Sequence, residues 1–202
     1  KLLKEKITMA NQLEKFGLRP YRKLDGSPLV GAQNRYKIAS GDATAIFQGD
    51  LVRPLTTGFV TRAAGNTSFA VVGVFNGCFY NDPTTGKPTF RNSYPGGITP
   101  TQGDITAFVV DDPDAVFLMN ADAVFGQADL FRNYSLTTDT GNTTTGISEV
   151  MLDVGVSGTA GTFAVQAIDI SQDPENDDLA TSNANVLVRI NNHFYRQGGT
   201  GL

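Results

Sequence analysis

Hydrophobic residues in this chain fall in short runs that alternate with polar ones or stand as four to eight apolar residues in a row. A 3.6-residue helical period never holds for more than one turn, at residues 11–16, "NQLEKF". The runs "RYKIA" (35–39), "TAIFQGDLVR" (44–53), "FVTRA" (59–63) and "SFAVVGVFNGCFY" (68–80) read as strands. Gly49-Asp50 interrupts the second of these, Pro54 ends it, and Gly73 and Gly77 mark bends in the fourth. Further strands are read at "TFRNSY" (89–94), "ITAFVV" (105–110), "AVFLMNAD" (115–122), "SEVMLDVG" (148–155), "TFAVQAIDIS" (162–171) and "NVLVRINNHFY" (185–195). "QADLFRNYSL" (127–136) is ambiguous between a helical turn and a strand, and is read as extended. Polar loops fill 81–104, 137–146 and 172–184. "GDATAIF" (41–47) and "GDITAFV" (103–109) echo one another, as two equivalent strand starts would. Short strands at regular spacing with turn signals between them predict an all-β fold: an antiparallel β-barrel or sandwich with long loops.

Composition agrees. Glycine is abundant at 22 of 202 residues, tryptophan is absent, and a hydrophobic fraction of 40% is enough for one core. Charge is distributed unevenly. Residues 1–37 carry nine lysines and arginines against three acids, +6, in a chain of −4, so the remainder carries −10. This divides the chain into an extended basic N-terminal arm, 1–37, and a single β-barrel domain, 38–202. An acidic body argues against direct nucleic-acid binding, because it repels a phosphate backbone. No apolar run approaches the ~18 residues of a membrane span. The start, "KLLKEKITMANQL", has no apolar core of signal-peptide type. "KEKIT" before Met9 is what an in-frame ribosome-binding stretch would encode, so residues 1–8 are read as an upstream extension of the frame.

Candidate chemistry is sparse. The single Cys78 excludes an internal disulfide and suits assembly in a reducing cytosol. It lies in an apolar run and reads as a buried, inert thiol. His193 has no nucleophile elbow in the sequence to serve, and phosphate-cradling glycine motifs are absent. "VVDDPDAVFLM" (109–119) sets three carboxylates between two apolar runs. A calcium loop needs oxygens at alternating positions, a central glycine and a distal glutamate, whereas these acids are bunched. Pro113 suits a turn. The motif is therefore read as a strand–turn–strand connection, with cation binding at Asp111, Asp112 or Asp114, or catalytic acids, as the alternatives. No catalytic residue, metal or cofactor is expected. "FGLRPYRKL" interleaves cations with aromatics, the residue types enriched at protein interfaces. Phe16, Arg19, Tyr21, Arg22, Lys23 and Arg35 are the candidate contact residues of the arm.

The strings "GLRPYRKLDG", "YKIASGDATAIFQGDLV", "VVDDPDAVF" and "LVRINNHF", in this order over residues 16–202, resemble a family of tailed-phage and prophage proteins encoded with capsid genes. The "GDLV … VVGV" core is also similar to that of smaller β-barrel capsid cement proteins. The resemblance implies a virion structural protein, a head decoration or cement protein assembled in the host cytoplasm. Its implied partner is the major capsid protein, which it would bind on the outer surface as a homotrimer. The long 81–104 loop departs from the family pattern and is read as an outer or intersubunit contact. Three alternatives remain: a receptor- or glycan-binding β-module of the virion, a head–tail connector component, and, last, a metal-dependent hydrolase.

Overall fold

The computed structural model describes residues 11–31, 33–63, 69–176, 178 and 180–196. The fold is all-β and sandwich-like, with two antiparallel sheets of six strands each. The strands are β1 (Arg19–Lys23), β2 (Gln33–Ile38), β3 (Leu51–Pro54), β4 (Val60–Arg62), β5 (Gly73–Asn81), β6 (Pro88–Arg91), β7 (Ile105–Val110), β8 (Ala115–Asn120), β9 (Asn133–Leu136), β10 (Leu152–Gly158), β11 (Val165–Ile170) and β12 (Asn185–Ile190). The first sheet runs β1-β8-β12-β11-β9-β10. The second runs β2-β7-β5-β3-β4, with β6 beside the C-terminal half of β5. The end strands β2 and β4 of the second sheet approach one another without pairing, so that sheet curls towards a barrel but does not close. Among the described residues no helix is long and apolar enough to cross a membrane.

Three clusters hold the layers together. The largest joins the inner face of the first sheet (Phe117, Met119, Tyr134, Val165, Val188) to Leu51, Val74 and Val110 of the second. A second fills the curl of the second sheet with Val52, Phe75, Cys78, Ala107 and Val109. A third covers the other side of β8 and β12, where Phe16 lies on Val116, Leu118 and Leu187. All six residues of β8 are therefore buried, which is why "AVFLM" is a continuous apolar run rather than an alternating one.

The basic segment, expected as an extended arm, is in large part paired into the sheets. Phe16 is 7% exposed, and burying such a ring contributes about 1.5–3 kcal/mol. Residues 19–23 pair with β8 as β1, and residues 33–38 pair with β7 as β2. From Phe16 onward the segment belongs to the sandwich, because its apolar members cover faces of the sheet that would otherwise be wet. The supposed extension and Met9 lie outside the described residues, as does the tail beyond Arg196.

The run 44–53 also differs from its reading: it becomes a strand only at Leu51. Ile46 and Gln48 form single bridges, and residues 47–50 close a turn in which Asp50 N donates to Phe47 O at 3.0 Å. Gly49, at φ +96°, lies where an added Cβ would come 2.6 Å from Phe16 O, so glycine lets the chain cross the 16–18 segment. The echo between 41–47 and 103–109 therefore does not extend to structure, since only the second copy is a strand. The ambiguous 127–136 run contains both forms, a single 3-10 turn at Gln127–Asp129 followed by β9. The 81–104 loop is folded back onto the domain: β6 pairs with β5, and Tyr94, fully buried, donates its hydroxyl to Asp42 O at 2.7 Å.

Candidate functional site

The acidic motif 111–114 joins β7 of the second sheet to β8 of the first, so it is a corner between sheets. Each carboxylate has a partner. Asp111, buried, accepts from Asn34 Nδ2 at 3.0 and 3.1 Å and from the Tyr36 hydroxyl at 2.5 Å. Asp112 accepts from Asp114 N at 2.9 Å, a local Asx turn, and pairs with Lys23 Nζ at 3.0 Å. Asp114 pairs with Arg196 and accepts from Leu24 N at 2.8 Å through its carbonyl. Burial pushes the Asp112 carboxyl up, but the Asp114 amide and Lys23 outweigh it and hold it below the usual range. Among the described residues no three His, Cys, Asp or Glu side chains gather as metal ligands.

Around this corner lies an open groove of about 920 Å³ lined by Lys23, Asn34, Arg35, Tyr36, Asp111 and Tyr195, among others. The Tyr36 and Tyr195 hydroxyls are 2.8 Å apart. Burial and the bond to Asp111 raise the Tyr36 phenol far above its ordinary value, so it acts as a fixed hydrogen-bond donor. His193 stands behind Tyr195, fully buried, and accepts from Tyr195 N at 3.2 Å through Nδ1. Burial, and then Arg196, push its pKa down, so it is a neutral ring. Cys78 belongs to the core of the second sheet, where burial raises its thiol pKa to about 12. A thiol so placed is not a nucleophile at neutral pH.

The six candidate contact residues are not gathered in one place. Phe16 is core, with the Arg19 guanidinium 4.5 Å above its ring. Both border a small pocket of about 120 Å³ with Leu18, Pro20, Val74 and Ile147. Tyr21, half-exposed, sits at the bulge between Pro20 and Arg22. Arg22 donates to Lys23 O at 3.1 Å and is half-buried. Lys23 and Arg35 meet at the groove, and Arg35 also reaches over the Phe108 ring, 5.9 Å away. Asn34, Tyr36 and Tyr195 were not among the candidates. Alternation within "QNRYKI" sets Asn34 and Tyr36 on the face opposite Arg35, but only the pairing of β2 with β7 brings them to Asp111.

Comparison with protein-family models, with curated proteins and with solved structures returns no match. The fold is that of an all-β sandwich, in which the buried carboxylates Asp50 and Asp111 hold a turn and a corner. Arg19, Tyr21 and Arg35 face outward on β1 and β2, whereas Arg62 of β4 is turned in towards Asp50.

Proposed function

We propose that this chain is a structural protein of a tailed-phage virion, a head decoration protein that binds the major capsid protein on the outer surface of the shell and stabilises it. The observation that carries this reading is the division of labour among charged groups. Asp50 and Asp111 are each saturated by hydrogen bonds within the fold, and His193 is enclosed in it. Arg19, Tyr21 and Arg35 stand exposed on the end strands β1 and β2. Side chains presented on paired strands lose less entropy on docking than those of a flexible arm. The protein acts as a homotrimer bridging neighbouring capsid subunits, and many modest contacts on a closed symmetric shell add through effective concentration. The test is a reconstruction of the virion. Many copies distributed over the head support the reading; a single ring at a vertex or on the tail overturns it.

A second reading, a glycan-binding module, draws on the groove. Two tyrosine hydroxyls, a carboxylate and an amide converge there, with the Tyr195 ring 55% exposed. Saturable quenching of tyrosine fluorescence by host surface glycans, abolished in Tyr195→Ala, would favour it over the first.

A further inference from the structure

The outer side of the second sheet changes character along its length. At one end Leu51, Val74 and Val110 are covered by the first sheet. An amide line follows, in which Gln48 Nε2 donates to Asn76 Oδ1 and Asn76 Nδ2 donates to Gln33 Oε1, each at 2.9 Å. Beyond it the surface is apolar again but open. Phe79 is paired across strands with both Phe90 and Thr106, and Phe108 with Arg35. The Phe90 and Phe108 rings lie 5.8 Å apart, and Arg35 extends over Phe108. Phe90 is 62% exposed and Phe79 40%. The Phe90 ring lies across β5 at Gly77, where a Cβ would come 2.9 Å from it, so the glycine leaves room for the ring to lie on the strand.

We propose that this strip (Phe79, Phe90 and Phe108, with Arg35 across it) is a docking face whose occupant is an apolar, carboxylate-bearing surface of a different protein. That this protein is the capsid subunit rests on the reading above; the strip itself does not. Charge selects the occupant. The cations on the strip are Arg35 and Lys37, and the carboxylate beside them, Asp104, is already paired with Lys37 at 2.6 Å. Two copies packed strip to strip about a twofold axis would set Arg35 against its copy while Asp104, the carboxylate beside it, stays engaged by Lys37, a like-charge contact that costs affinity. A partner that offers carboxylates to Arg35 and apolar groups to the rings meets both demands. Aromatic side chains together with an arginine are also the composition of interface hot spots. The face is rigid, being built on four paired strands, so docking orders little.

The test uses the full chain and shells assembled from the major capsid protein encoded with it, read by co-sedimentation. Phe90→Ser and Arg35→Glu should each weaken binding by at least about 30-fold, with the far-UV spectrum and melting temperature kept. Phe131→Ser, which removes a still more exposed ring from the linker before β9, should bind as the parent does. If the parent binds and the strip variants bind equally, the inference falls while the proposed function stands. If the parent binds no shells, the proposed function fails, and with it the named occupant. If Phe90→Ser instead converts an oligomer to a monomer in analytical ultracentrifugation, with shell binding intact, the strip is a self-interface and the inference is overturned.

Discussion

Asp50 is 1% exposed and ties three segments together. It accepts from Phe47 N at 2.8 Å in its own turn and from Ser148 Oγ at 2.6 Å in the segment before β10. It also pairs with Arg62 Nε of β4 at 2.9 Å. Asp50→Ala leaves two donors and a largely buried guanidinium without this partner. Arg62 keeps its bond to Asp139 O, at 2.5 Å. Removing one member of a buried pair costs about 3–5 kcal/mol, which in a domain of this size lowers the melting temperature by roughly 6–20 °C. The charge itself is not the source of that stability. Burial raises the Asp50 pKa and the attraction of Arg62 does not fully offset it. Between 3.8 and that raised value the native state binds more protons than the unfolded chain, so this residue's contribution falls as pH rises through the window. Asp50→Asn keeps an acceptor without the charge and should cost less than half of what Asp50→Ala costs; it should also abolish that pH slope. Urea denaturation with an unchanged m-value measures both variants. A cost below about 1 kcal/mol for Asp50→Ala, or equal costs for the two variants, would refute the argument.

Three further outcomes follow from the groove and the core. Tyr36→Phe removes the hydroxyl that Asp111 accepts at 2.5 Å, and should cost about 1.5–3 kcal/mol in urea denaturation while the fold persists. His193 titrates below 6.5 in the native state, so as pH falls from 6.5 the unfolded chain takes up its proton first. Stability should drop by up to about 1.4 kcal/mol per pH unit across that window, and His193→Gln should flatten the slope. Cys78, with its pKa near 12, should resist a thiol-specific chromogenic reagent in the native protein and react fully in denaturant; fast native labelling would contradict its burial.

Much of the β architecture was legible from local pattern. β7 and β8 coincide closely with the apolar runs read at 105–110 and 115–122, and β5 takes the later part of the run read at 68–80, because strand formation at that level depends on neighbouring side chains and turn chemistry. The acidic corner was legible as a turn for the same reason: Pro113 and the Asx bond of Asp112 are local. What the tertiary structure alone decided was partnership. A period-2 pattern says which side chains share a face, not which face another sheet will cover. Phe16 read as a contact residue because its neighbours are basic, yet it is buried on β8 and β12, about 100 and 170 residues further along the chain. The strip was hidden likewise. Arg35, Phe79, Phe90 and Phe108 belong to four strands, and they form one surface only because β2, β7, β5 and β6 are hydrogen-bonded in that order. Long-range pairing of that kind is settled by the burial of whole faces, a property of the assembled sandwich that no stretch of the sequence carries alone.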